Sequence, residues 1–110
     1  MENQEKKAVK SINDIEKDLK KKYGTIYKIE VENDGKPIVG YFKDIDFKTA
    51  SVVAQMNSSD PFGASKVLVQ NTIIKENSDI EILDNWKVTI SVGQELQRLV
   101  ELPNVSVAKL

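Results

Sequence analysis

The polar stretch Ser58-Ser59-Asp60, followed by Lys66, holds the side chains with which this chain could attempt hydrolysis or group transfer. A serine nucleophile needs a neighbouring base that is neutral near pH 7, and histidine usually supplies it. The 110 residues contain neither histidine nor cysteine. The composition therefore disfavours an enzyme, and it also removes thiol nucleophiles, disulfides and the commonest transition-metal ligands. We expect no cofactor.

A cluster of carboxylates in the second half of the chain could hold a cation, and its members are Glu76, Asp79, Glu81 and Asp84. A calcium-binding loop requires a glycine turn and a glutamate at its last position, and this cluster has neither. We therefore interpret the segment as an acidic connector and expect no metal. Its apolar residues, which we expect to dock on the core, are Ile80, Ile82 and Leu83.

The overall charge and hydropathy limit the remaining classes of function. There are 16 basic and 17 acidic residues, and the net charge of -1 lacks the basic excess that favours nucleic-acid binding. The N-terminus is polar and acidic, which argues against a secretory signal peptide. No apolar run approaches the roughly 20 residues that span a bilayer. We expect a cytoplasmic protein that binds neither nucleic acid nor membrane.

Residues 1–24 are predicted to form an amphipathic helix that ends near Gly24. Its apolar residues are spaced by three or four and form a narrow seam: Ala8, Ile12, Ile15, Leu19 and Tyr23. One interpretation places this seam on the core of the same chain. The other pairs it with a second copy, as in a short coiled coil, through Ala8, Ile12, Ile15 and Leu19. Both interpretations stay open at this point.

Residues 25–104 are predicted to form a hairpin followed by helices. Apolar and polar residues alternate from Thr25 to Glu32, an Asp-Gly pair marks the turn, and "PIVGYFK" after it is β-prone, which predicts a hairpin from about Thr25 to Lys43. A helix near 45–57 follows, with Asp44 or Asp46 as its cap and an apolar set that includes Phe47. The next helix begins at Asp60, an N-cap, with Pro61 at its first position.

A third helix after the hairpin is predicted to begin at Asp84 and to end before Pro103. Its apolar stripe is Val88, Val92, Leu96, Leu99 and Val100. We expect Val92, Leu96 and Leu99 of this helix to lie in the core together with Leu68 of the preceding helix. Residues 105–110 are left as a tail. The fold class is α+β, with an N-terminal helix, one hairpin and three helices packed on it in a single small domain.

Three large apolar residues fall outside the two main core stripes: Phe62, Trp86 and Ile90. Aromatic side chains that lie outside a core are frequent anchors for a protein partner. We therefore predict that these three residues contribute to a partner-binding surface.

From about Lys22 onward, the chain resembles the small tail assembly chaperones, and chaperone-like tail proteins, of phages and prophages. The resemblance rests on "YKIEV" and "GYFK" in a hairpin, on "DP" before an apolar helix, and on the closing "LQRLVEL". The helix after "DP" carries Ala64, Val67-Leu68 and Asn71, and Leu83-Asp84 follows it.

The resemblance implies a non-enzymatic protein of the bacterial host cytoplasm. Such a protein keeps a long helical tape-measure protein in solution while tail-tube subunits polymerise around it. A tape-measure-like protein, and with it a tail-tube protein, would be the partners. The alternative is a small prophage-encoded regulatory or host-interaction protein that binds another protein through the same surfaces.

Overall fold

A computed structural model of the protein describes residues 11–100 and 102–110, and its helices and strands lie between Ile12 and Gln97. The predicted α+β arrangement of an N-terminal helix, one hairpin and three longer helices in a single small domain is confirmed. Two short elements, a 3-10 turn and a one-turn helix, were not predicted. Ala8 lies outside the described residues. The elements are α1 (Ile12–Tyr23), β1 (Ile26–Asn33), β2 (Lys36–Lys43), α2 (Phe47–Asn57), α3 (Pro61–Thr72), the 3-10 turn (Lys75–Asn77), α4 (Glu81–Asp84) and α5 (Trp86–Gln97).

The hairpin is antiparallel, with Asn33 opposite Lys36 at its closed end and Ile26 opposite Lys43 at its open end. Asp34 and Gly35 form its two-residue turn, and both have positive φ, 54° and 73°. A turn with positive φ at both central residues matches the right-handed twist of paired strands. The predicted Asp-Gly turn is therefore confirmed, and it fixes the register of the two strands.

One face of the hairpin joins the main core of the domain. Ile38 and Phe42 of β2 are fully buried there against α2, α3 and α5. The core residues predicted on the helices are confirmed at Leu68, Val92 and Leu96. The half-buried residues of β1 that pack against this core are Tyr27, Ile29 and Val31.

The prediction that Leu99 belongs to the core is wrong, because its side chain is 40% exposed. Val100 is exposed as well. The helical pattern continues through both residues in the sequence, but α5 ends at Gln97, so the chain turns away from the face that carries Leu96.

The opposite face of the hairpin is covered by α1. Leu19 is buried there with Tyr41 and Ile74, and Ile15 and Tyr23 pack around them. The Tyr41 hydroxyl donates a hydrogen bond to Glu16 Oε2 over 3.1 Å. The seam of α1 therefore rests on its own chain, as the first interpretation expected. Ile12 is exposed, and pairing of two copies through this seam stays a prediction.

Polar side chains begin each of the longer helices after the hairpin. Asp46 Oδ1 accepts a hydrogen bond from the Thr49 N–H over 2.7 Å, so Asp46 rather than Asp44 caps α2. The prediction that Asp84 caps the last helix is wrong. Asp84 is the final residue of α4, and the side chain of Asn85 caps α5 instead.

The 75–84 connector closes the outer edge of β2. The Val39 N–H donates to Asp79 Oδ2 over 2.8 Å, and the Asp79 N–H donates to the Val39 oxygen over 2.9 Å. The Tyr41 N–H donates to Ser78 Oγ over 2.9 Å. This edge thus bonds to the connector much as it would bond to a third strand.

The connector docks on the core through Ile82, which is fully buried, and Leu83, which packs against the core. The prediction that Ile80 also docks is wrong, since Ile80 is exposed. Ile80 has helical backbone angles directly before α4. Because helical residues are about 100° apart, Ile80 and Ile82 point in nearly opposite directions.

Candidate protein-binding surface

Phe62 lies in the first turn of α3, where the residues before and after it fix the start of the helix. Asp60 Oδ1 accepts a hydrogen bond from the Gly63 N–H over 2.9 Å, and Pro61 occupies the first helical position. The Asp60 carboxylate lies so close to Gly63 that a β-carbon built on Gly63 would be 2.1 Å from Asp60 Oδ2. The predicted cap is confirmed, and this turn presents Phe62 with its side chain 53% exposed.

Trp86 is the first residue of α5 and is 63% exposed. Asn85 Oδ1 caps the helix by accepting from the Lys87 N–H over 3.1 Å. The Thr89 hydroxyl donates hydrogen bonds to the backbone carbonyl oxygen of Asn85, over 3.0 Å, and to that of Ile82. These bonds join the connector to the first turn of α5, so the backbone that carries the indole is held in place.

Phe62 and Trp86 form an exposed aromatic pair. Their ring centroids lie 6.4 Å apart, and the ring planes are inclined by 40°. This spacing is within the range in which aromatic rings attract each other. Two aromatic side chains that are each more than half exposed still have apolar area to bury against a partner.

A cleft of about 120 Å³ lies beside the aromatic pair, with Trp86 as a shared wall. This volume corresponds to about four water molecules. Ile90 lines the cleft but is half-buried, so it is a wall residue rather than a projecting anchor. The other lining residues are Lys66, Gln70, Leu83, Asp84 and Thr89.

The structure thus brings together the three residues singled out from the sequence. Phe62 contacts Trp86, and Trp86 lines one cleft with Ile90. We call this region, with Lys66 and Asp84 at its rim, the aromatic surface. It combines an exposed aromatic pair, an apolar recess and charges of both signs, since Lys87 Nζ also lies 5.8 Å from the centroid of the Trp86 ring. Such an arrangement can accept an apolar side chain while its rim contacts polar groups of the same partner.

The other candidate residues have structural contacts. Asp79 is bonded to Val39, and Glu81 accepts from Lys36 Nζ over 2.9 Å. In residues 11–100 and 102–110, no three acidic, histidine or cysteine side chains lie close enough together to hold a metal ion. Asp60 is engaged by the Gly63 N–H, and Lys66 lies at the cleft rather than beside Ser58 or Ser59.

A second apolar region was missed by the sequence analysis. Phe47 was placed in the apolar set of its helix, but it is exposed. Phe47 and the buried Val53 are six residues apart, about 240° around the helix, so they cannot share a face. A cleft of about 190 Å³ lies between α2 and the end of α5, and its lining residues include Ala50, Ala54, Gln97 and Val100.

Comparison with known proteins supports the fold alone. No family model matches the chain, and no curated protein matches it. A solved structure, described as that of the uncharacterised protein rbstp2171 from Bacillus stearothermophilus, is similar, with a TM-score of 0.67 and 24% sequence identity. The similarity covers 86% of this chain and 99% of that chain. Among the helices of the described residues, none has the length and apolar character needed to cross a membrane.

Proposed function

We propose that this chain is a non-enzymatic, chaperone-like protein of phage tail assembly that works in the bacterial host cytoplasm. In this proposal it binds apolar helical segments of a tape-measure-type protein and keeps that protein in solution while the tail-tube protein assembles around it. The observation that supports the proposal is the exposed pair of Phe62 and Trp86 beside an apolar cleft. The resemblance of the sequence to tail assembly chaperones supplies the class of partner.

A helical segment fits the aromatic surface because its projecting and recessed parts lie side by side. An amphipathic helix presents apolar residues at intervals of three or four, so one residue can enter a recess while the next contacts a neighbouring ridge. Here the recess is the cleft at Ile90 and the ridge is the Phe62–Trp86 pair. Lys66 and Asp84 at the rim favour one direction of a partner helix that carries charges of both signs.

Holding a partner requires an attachment that can be released. Truncating an aromatic hot-spot residue of a protein interface to alanine costs about 2 kcal/mol or more, which is about 30-fold in the dissociation constant. Two such anchors on a small surface give a contact that is specific but that tube assembly can displace. No group that titrates near pH 7 is needed for this role, consistent with a chain that lacks histidine.

The test is co-expression with the tape-measure protein encoded in the same phage or prophage. We expect the soluble yield of that protein to rise in the presence of this chain, and the effect to fall with Trp86→Ala or Phe62→Ala. Phe47→Ala is the control, because Phe47 is an even more exposed aromatic residue, at 76%, that neither lines the cleft nor pairs with Phe62 or Trp86 among the described residues. All variants should retain the circular dichroism spectrum of the parent.

Equal soluble yield with and without this chain would reject the holding role. In that case, the same variants applied to pull-down of host proteins would test the alternative, a small regulatory or host-interaction protein.

A further inference from the structure

The hairpin has one closed edge and one open edge. On β2, the N–H and C=O groups of Val39 and Tyr41 point away from β1. The connector bonds to them on that outer side. Residues opposite each other in an antiparallel pair share this orientation. Glu30 lies opposite Val39, and Lys28 lies opposite Tyr41. Lys28 and Glu30 therefore turn their N–H and C=O groups outward at the other edge of the sheet.

Nothing in the described residues pairs with this outer edge of β1. The sheet contains β1 and β2 alone, and within residues 11–100 and 102–110 no hydrogen bond reaches the backbone of Lys28, Glu30 or Glu32 from outside the hairpin. An unpaired strand edge is a template for the addition of another strand. The residues of β1 that alternate with them, Tyr27, Ile29 and Val31, are only half-buried on the core side.

The 102–110 segment has the pattern of a strand but lies in neither a helix nor a strand. Val105 and Val107 alternate with Ser106 and Ala108, as in a strand with one apolar face. The two valines are 81% and 91% exposed, so the segment does not lie on the open edge of its own chain. The described part of the chain therefore contains an unpaired strand edge and, separately, an exposed strand-like segment.

We propose that residues 104–110 of one copy add as an antiparallel third strand to the outer edge of β1 in a second copy. This inference concerns self-association and does not rest on the proposed function. If the exchange is reciprocal, two copies form a closed two-fold dimer, whereas one-way addition produces an open chain of subunits.

The side chains select one register for this pairing, with Ser106 opposite Glu30. Val105 then lies opposite Val31, and Val107 opposite Ile29, so both valines extend the half-buried apolar face. On the other face, Leu110 lies opposite Ile26, which packs against Leu19 under α1. Lys109 lies opposite Tyr27, whose hydroxyl bonds to the Asp44 carboxylate. The added strand thus supplies an apolar partner for Ile26, Ile29 and Val31, and a cation near Asp44.

Other registers lose these contacts. A shift of one residue places both valines opposite charged residues of β1 and on the wrong face. A shift of two residues in one direction places Lys109 opposite Ile29, and in the other direction it leaves Val31 without a valine partner. The alternation of the segment therefore matches β1 in one register only.

The first experiment measures molar mass by light scattering across a concentration series. We expect a dimer or larger species for the parent chain. Glu30→Pro removes one outward N–H but no bond between β1 and β2, so it should give a monomer, whereas Glu30→Ala keeps that N–H and should associate. Val107→Lys should give a monomer, and Ser106→Lys, which faces Glu30 in this register, should associate as well as the parent.

If Glu30→Pro fails to fold, Val107→Lys still tests the proposal, because Val107 lies in an exposed segment. A parent chain that is monomeric throughout the series would overturn the proposal. Association that survives Val107→Lys would overturn it too, and would point instead to the α1 seam or the aromatic surface.

A disulfide experiment tests the register and distinguishes a second copy from the same chain. The chain has no cysteine, so Glu30→Cys and Ser106→Cys can be placed in separate, differently tagged copies. Hydrogen-bonded antiparallel neighbours have Cα atoms about 5.5 Å apart, a distance that a disulfide can bridge. Mixing the two variants should give a disulfide-linked pair in excess of either pair of identical copies. If this mixture gives no disulfide-linked pair, and a variant that carries both cysteines forms an internal disulfide, the segment pairs with β1 of its own chain. That result would overturn the proposal.

Discussion

Gly93 of α5 lies directly against the backbone of Ser65 in α3. A β-carbon built on Gly93 would be 2.6 Å from the Ser65 carbonyl oxygen, closer than β-carbons approach other atoms. Both residues are buried, and the backbones of α3 and α5 pack closely together here. The relative position of these two helices determines whether Phe62 can reach Trp86. The glycine therefore connects the packing of the domain with the geometry of the aromatic surface.

We expect Gly93→Ala to destabilise the fold by up to about 2 kcal/mol. Overpacking typically costs about 1–3 kcal/mol, and here it opposes a gain of about 1 kcal/mol in helix propensity. The clash involves backbone atoms, so a side-chain rotation cannot relieve it. Urea unfolding, followed by the fluorescence of the single tryptophan, measures both stability and the surroundings of Trp86. Gln94→Ala, at an exposed position of the same helix, should change stability by less than about 0.5 kcal/mol. A stabilised Gly93→Ala variant would contradict this packing.

Two leucines three residues apart should respond very differently to truncation. Leu96 is fully buried, and Leu96→Ala should lower the free energy of unfolding by about 2–5 kcal/mol. Leu99→Ala should lower it by less than about 1 kcal/mol, because that side chain already contacts water. Urea unfolding of both variants measures the difference. Similar losses at the two positions would mean that the helix continues past Gln97 and buries Leu99.

Features determined by adjacent residues were predictable from the sequence. The Asp34-Gly35 turn is one, because few other residue pairs tolerate two positive φ angles. The Asp60-Pro61 start of α3 is another, since a carboxylate cap and a proline at the first position act on the same turn. The hairpin followed from the alternation of apolar and polar residues in its first strand and from the β-prone residues after the turn. In each case the deciding contacts lie within a few residues of chain.

Features determined by distant contacts were missed. Asp84 and Asn85 are both good helix caps, and Asn85 caps α5 because Asp84 already belongs to α4, whose Ile82 is held by the core. The exposure of Phe62 and Trp86 could be predicted because they lie outside the core stripes. Their contact could not, because these residues are 24 positions apart and meet only through the packing of α3 on α5.

The cap of α2 should make stability depend on pH in acid. The hydrogen bond from the Thr49 N–H holds the pKa of Asp46 below its ordinary value. A lowered pKa in the folded state means that the carboxylate stabilises the fold above its unfolded pKa of about 3.9. This contribution is lost as the pH falls through the lower, folded value.

The comparison that isolates this effect uses Asp46→Ala and Asp46→Asn. The parent should be more stable than Asp46→Ala at pH 7, and this difference in stability should become smaller as the pH falls below about 4. Asparagine can accept the same hydrogen bond but does not titrate, so the difference in stability between Asp46→Asn and Asp46→Ala should not change with pH. Thermal unfolding from pH 7 to pH 2 gives both differences. If the difference in stability between the parent and Asp46→Ala is independent of pH, the carboxylate charge contributes nothing to the cap.

Hydrogen exchange should reveal the difference between the two edges of the hairpin. Ser78 Oγ accepts from the Tyr41 N–H and donates to the Ile74 oxygen over 2.7 Å, so Ser78→Ala leaves a part-buried donor without its acceptor. We expect this variant to lose about 1–3 kcal/mol of stability, and the Tyr41 amide to exchange faster by more than the global loss explains. Ser91→Ala is the control, because the Ser91 hydroxyl bonds to Lys87 at an exposed site. In dilute solution the Lys28 amide, at the open edge, should exchange rapidly in every variant. An unchanged Tyr41 amide in Ser78→Ala would mean that the connector does not close the edge of β2.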